Sequence, residues 1–164
     1  MKVFFENDWC QLFHGDSSQF VGECDVVLTN PYAPLPKFLQ EKPMFIIDFN
    51  FRHSKAEERC GTKLFHLSSW FEGKNVIWYG NIDDVGQLHD VDFSHMMPEP
   101  EGWFPYELPK TILQNFCQPG MTVWDGFMGR GTVGRACKDL GLNFIGVDKQ
   151  MDRVEKAYDY IFQQ

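Results

Sequence analysis

The sequence predicts an α/β fold: a doubly wound sheet of seven mostly parallel strands with helices on both faces. Three observations carry the prediction. Residues 122–148 (TVWDGFMGRGTVGRACKDLGLNFIGVD) read as an apolar run that begins at Met121, a glycine-rich turn, a helical segment and a second apolar run, which is one strand–turn–helix–strand unit. The runs DVVLT (25–29) and MFIID (44–48) are apolar on both faces, as strands buried within a parallel sheet are. Segments of helical period separate most of the strand candidates, and that alternation implies crossover connections.

Taken in order, Val3 to Phe5 and Cys10 to His14 are short apolar pieces separated by Glu6-Asn7-Asp8, the first being a hairpin-like addition outside the seven strands. Gly15-Asp16-Ser17 follows, where Asp16 either accepts from a ligand amino group or caps a helix from Ser17 to Val21. The strand from Asp25 runs directly into Asn30-Pro31-Tyr32, and Pro34-Leu35-Pro36 leaves room for only a short helix from Lys37 to Gln40. After the strand from Met44, a helix fits Ser54 to Cys60, with Ser54 as N-cap, Glu57 three residues on and Gly61 as the stop. Strands from Leu64 (to Leu67) and Asn75 (to Tyr79) come next, with Ser68 to Lys74 as a loop. Lys110 to Cys117 reads as a helix, the strands from Thr122 and Asn143 enclose the glycine turn, and Gln150 to Phe162 closes as an amphipathic helix with Val154, Ala157, Tyr158 and Ile161 inward.

Between Gly80 and Leu108 the periodicity fades into acids, prolines and scattered aromatics. A loop longer than about 15 residues is usually functional, so residues 80–108 are expected to form a lid or a partner- or target-contacting segment within a single domain spanning 1–164. The aromatics Trp103, Phe104 and Tyr106 either stack on a substrate or plug the core.

Composition narrows the function. The net charge of −8 opposes a dominant basic face for phosphates, although Lys37 and Lys42, and then Arg52, His53 and Lys55, form local basic clusters. MKVFFENDW is too short and too charged for a signal peptide, and no apolar run approaches a membrane span. The five cysteines show no C-x-x-C pair, so reduced thiols, a cytoplasmic location and no metal site are expected.

Two motifs carry chemistry. Glycines at 126, 129, 131 and 134 let main-chain N–H groups approach a ligand at a helix start, and Asp148 ends the next strand where an acid can accept from both ribose hydroxyls. A purely structural glycine turn is the plainer alternative. Asn30-Pro31-Tyr32 offers a side-chain oxygen, a carbonyl fixed by proline and an aromatic ring, the set needed to orient and stack a planar amine; alone it reads equally as a strand-ending turn.

Together, D-x-F-M-G-x-G-T (125–132), F-I-G-V-D (144–148), the earlier N-P-Y, the G-D-S piece and the P-K-x-x-L helix stand in the order of a permuted, beta-class-like group of DNA amino-methyltransferases, which the chain resembles over nearly its whole length. The resemblance implies a Rossmann-like methyltransferase fold, S-adenosyl-L-methionine as cofactor and transfer to an exocyclic amine of adenine (N6) or cytosine (N4) in DNA. It implies Asn30, Pro31 and Tyr32 as the target-amine site. Asp125, Phe127, Gly129, Gly131 and Thr132 would line the methionine half of the cofactor, Asp148 the ribose, Asp16 the adenine and Lys110 the helix beside it.

Three departures are visible: the catalytic motif is one proline short of N-P-P-Y, Gly126 replaces a proline, and Arg130 replaces a serine. The first bears on catalysis and the other two on the cofactor loop. The family's target-recognition region has only 80–108 as counterpart, so specificity would come from that loop, from a homodimer or specificity partner, or be absent. Alternatives are a catalytically degenerate binding or regulatory subunit, and a methyltransferase acting on RNA or a protein amide.

Overall fold

The computed structural model describes residues 1–49 and 53–163; Arg52 of the second basic cluster lies outside them. Eight strands form one sheet: β1 (Lys2–Glu6), β2 (Cys10–His14), β3 (Val26–Thr29), β4 (Met44–Asp48), β5 (Phe65–Trp70), β6 (Asn75–Gly80), β7 (Thr122–Asp125) and β8 (Asn143–Asp148). Their spatial order is β1-β2-β8-β7-β3-β4-β6-β5. From β2 to β4 every neighbouring pair is parallel, whereas β1 pairs antiparallel with β2 and β6 pairs antiparallel with both β4 and β5.

The expected seven strands are therefore corrected to eight. Asn7 makes the difference: its side-chain oxygen accepts from the N–H groups of Trp9 (3.0 Å) and Cys10 (2.8 Å), closing the turn that folds β1 onto β2. The predicted helix after Asp16 is a single 3-10 turn, Ser17–Gln19, and Lys37–Leu39 is another. The helices are α1 (His53–Cys60), α2 (Glu107–Phe116), α3 (Thr132–Leu140) and α4 (Met151–Phe162), and α2 starts three residues before the expected Lys110. β5 runs on through Ser68 to Trp70, residues expected to be loop. Among the described residues no helix is long and apolar enough to cross a membrane.

Strand alternation divides the core in two. Val26, Leu28, Phe45, Ile47, Val123 and Phe144 face α2, α3 and α4, which supply Ile112, Leu113, Val133, Ala136, Val154 and Ile161. Val27, Met44, Ile46, Trp124, Ile145 and Val147 face the opposite way, onto Phe20, Leu35, Leu39 and the Ala56 and Cys60 of α1. Each such side chain gains roughly 1.5–3 kcal/mol from leaving water, which is why the all-apolar strands sit at the centre and the half-polar β1 and β5 at the edges.

Residues 80–108 pack on the three-helix face. Val85, Leu88, Phe93, Met96 and Phe104 are buried there at irregular spacing. The acids between them make turns: Asp84 Oδ1 accepts from Gly86 N–H (2.7 Å) and Asp92 Oδ1 from Ser94 N–H (2.9 Å).

Candidate active site

β3 and β7 are adjacent and parallel, so the loops that leave their carboxyl ends, Asn30 onward and Gly126 onward, emerge side by side at the same edge of the sheet. A direct bond ties the two together. Thr29 Oγ1 donates to Asp125 Oδ1 at 2.6 Å, and Phe127 N–H donates to the same oxygen at 3.1 Å. Burial pushes the Asp125 carboxyl up to about 7, against the pull of these two hydrogen bonds and helped by the charge of Asp148.

The glycine turn is shaped by what lies against it. Trp124 places its ring under Gly126, where a Cβ would come to 2.0 Å from the ring, so the proline of related motifs has no room here. Gly129 has φ +55°, and a Cβ there would meet the Trp103 ring at 2.3 Å. Trp103 thus leans on the turn from the 80–108 segment, with the Arg153 guanidinium over its ring at 5.6 Å. Arg130 lies over the Tyr160 ring at 5.2 Å, reaches Glu99 at 4.0 Å and donates from Nε to Thr132 Oγ1 at 3.4 Å.

Asp148 holds the turn from the next strand. Its Oδ2 accepts from Gly129 N–H (3.0 Å) and its Oδ1 from Gln150 N–H (2.9 Å), which leaves one lone pair on each oxygen for a ligand.

A cleft of about 410 Å³ opens at this edge, within the range of small-molecule sites. Of the residues expected from the sequence, Asp16, Tyr32, Phe127 and Asp148 line it together, and Gly15, Ser17, Lys149, Gln150 and Arg153 join them. Asp16 caps the 3-10 turn through Ser18 N–H (2.9 Å), which with the Ser18 side chain and Lys149 holds its carboxyl below the usual range. Lys149 approaches it at 3.4 Å. Tyr32 is 62% exposed, its ring edge-on to Phe127 at 6.2 Å.

Other expected residues stand elsewhere. Asn30 and Pro31 line a smaller recess of about 70 Å³ with Asp48, Lys55 and Arg59. Gly129 and Gly131 form the turn's backbone, and Thr132 opens α3, buried. Lys110 lies within α2 with its ammonium 5.4 Å from the centre of the Tyr106 ring, and it does not line the cleft. Thr29 and Arg59 went unnoticed in the sequence. Thr29 had a signal, as the single hydroxyl in an apolar strand; Arg59 sits on an ordinary amphipathic helix and had none. Among the described residues no three His, Cys, Asp or Glu side chains gather as a metal would require.

A family model described as DNA methylase, of the N6/N4 type, matches residues 44–159. Type II methyltransferase M.XycI of Xanthomonas campestris pv. cyanopsidis is 26% identical over 135 residues, covering 82% of this chain and 42% of the relative. M.Cfr9I of Citrobacter freundii is 24% identical over 137 residues, with 81% and 42% covered. The chain thus spans about two fifths of the length of these relatives. Among solved structures, the M1.HpyAVI–SAM complex is similar at TM-score 0.67 and 19% identity, covering 93% of this chain and 99% of that one. The PvuII DNA methyltransferase, cytosine-N4-specific, is similar at TM-score 0.67 and 14% identity, covering 99% and 89%.

Proposed function

The chain belongs to the N6/N4 DNA methylase family, and from that premise we propose that it transfers a methyl group from S-adenosyl-L-methionine to an exocyclic amine of adenine or cytosine in DNA. The observation that supports the reading is the neighbouring of β3 and β7, which sets Asn30-Pro31-Tyr32 beside the glycine turn and Asp125.

The cleft fits the cofactor's chemistry. Asp148 would accept from the ribose hydroxyls with the lone pairs that Gly129 and Gln150 leave open, and Asp16 would accept from the adenine amine. The glycine turn and Phe127 would hold the methionyl end. When bound, S-adenosylmethionine supplies an electrophilic methyl on a sulfonium. Asn30 Oδ1 and the Pro31 carbonyl would accept hydrogen bonds from the two amine N–H groups and aim the nitrogen lone pair; the N–C bond forms as the methyl–sulfur bond breaks, and the methylated amine releases one proton to solvent, while the exposed Tyr32 ring would stack on the base. Because the sulfur leaves neutral, positioning is the larger task and no strong general acid is needed. The exposed rim of residues 80–108 is the segment of this chain proposed to contact the target or a specificity partner.

One observation favours a second reading, a cofactor-binding subunit without transfer: the catalytic motif is one proline short of N-P-P-Y. Incubation with methyl-labelled cofactor and mixed-sequence DNA separates the two. The expected result is labelled DNA, with Asn30→Ala abolishing the label. Cofactor binding by calorimetry with no label in single- or double-stranded DNA would overturn the first reading and leave the second.

A further inference from the structure

Arg59 touches both ends of the segment that follows Asn30. Its Nη1 donates to the Pro31 carbonyl at 2.7 Å, and its own carbonyl accepts from Leu35 N–H at 2.8 Å. Gln40 Nε2 adds a bond to the Leu35 carbonyl at 3.2 Å. Between these anchors Tyr32, Ala33 and Pro34 are exposed. The anchor itself is held: Glu57 Oε2 accepts from Leu64 N–H at 2.8 Å and the His53 ring bonds the Leu64 carbonyl at 2.9 Å, pinning α1 to the residue that precedes β5.

We propose that Arg59 is a positioning residue for the acceptor loop: it clamps residues 31–35 at both ends and so holds Asn30 and Tyr32 in the geometry that receives the substrate amine. The proposal rests on the methyl-transfer reading above. Its physical reason lies in the shortened motif. Two successive prolines would fix two φ angles and stiffen the turn covalently. Here Pro31 is followed by Tyr32, which is free to rotate, and the missing constraint is supplied by a charge-assisted hydrogen bond from a half-buried guanidinium. The bond occupies one lone pair of the Pro31 carbonyl and leaves the other for the amine.

The test uses Arg59→Met, which keeps most of the apolar stem, and Arg59→Lys, which keeps the charge and one donor. Steady-state methylation of DNA and amide hydrogen exchange are measured on both. Arg59→Met should lower kcat at least tenfold while cofactor affinity stays within twofold. Exchange should quicken at Leu35, whose N–H is bonded to the Arg59 carbonyl and stays protected only while residues 31–35 remain closed. Arg59→Lys should recover part of kcat and part of the protection, and it carries both readouts where Arg59→Met fails to fold. Unchanged kcat with unchanged exchange, or a rise in kcat showing that Arg59 obstructs the carbonyl, would overturn the proposal. If the wild type methylates no DNA, the methyl-transfer reading fails on its own, and the exchange pattern still decides whether Arg59 holds the loop.

Discussion

Replacing Asp125 by asparagine should change how stability depends on pH. The carboxyl is 1% exposed and is pushed up to about 7 from an ordinary 3.8. The folded chain therefore keeps a proton that the unfolded chain gives up, so the stabilisation from this group is complete below pH 3.8 and is lost as pH rises through about 7. Between pH 5 and pH 8 the loss amounts to roughly 2–3 kcal/mol, or about 5–10 °C in melting temperature for a domain of this size. Asparagine retains an oxygen for Thr29 Oγ1 and Phe127 N–H but cannot ionise. Urea unfolding without cofactor at four pH values from 5 to 8 measures the effect, and the remaining ionisable groups are common to both proteins and cancel in the difference. The wild type should lose stability relative to Asp125→Asn steadily across that range. Parallel curves would refute the argument, because they would mean that Asp125 is already ionised at pH 5 despite its burial.

Further outcomes are expected. Asp148→Ala should weaken S-adenosylmethionine binding by about 1.5–3 kcal/mol in calorimetry, as the loss of charge-assisted bonds requires. Gly129→Ala should destabilise by roughly 1–3 kcal/mol through left-handed strain and the Trp103 clash, and adding Trp103→Ala should recover the clash alone in a denaturation cycle. Phe104→Ala should cost about 3–5 kcal/mol as a core truncation, whereas Tyr32→Ala should stay within about 0.5 kcal/mol of wild type and still lose most DNA labelling.

Legibility followed sequence distance. The glycine turn and Asp148 could be read because their spacing is local and the chemistry demands small residues followed by an acid. The buried strands could be read because a run of four or five residues that is apolar on both faces is too short for a helix and must lie between two covering layers. β1 was read only as a hairpin-like piece, since four of its five residues are exposed and its pairing depends on the Asn7 turn. Residues 80–108 resisted reading because their buried side chains, at 85, 88, 93, 96 and 104, join the core on the three-helix side at irregular spacing and with no backbone period. The Thr29–Asp125 bond joins residues 96 apart and the Arg59–Pro31 bond residues 28 apart, and nothing in either local sequence announces its partner.

The pairing of β3 with β7 acts as a fixed gauge. Val26 sits opposite Val123 and Val27 opposite Trp124, so the loops beyond them are separated by one inter-strand spacing of about 4.8 Å. On the proposed function, the two ligands would meet at a distance set by the main-chain hydrogen bonds between β3 and β7. A change of acceptor would then be a matter of exchanging residues at the cleft wall, where the exposed Tyr32 stands. A bulge inserted into either strand would leave both loops chemically intact and move them out of range of each other.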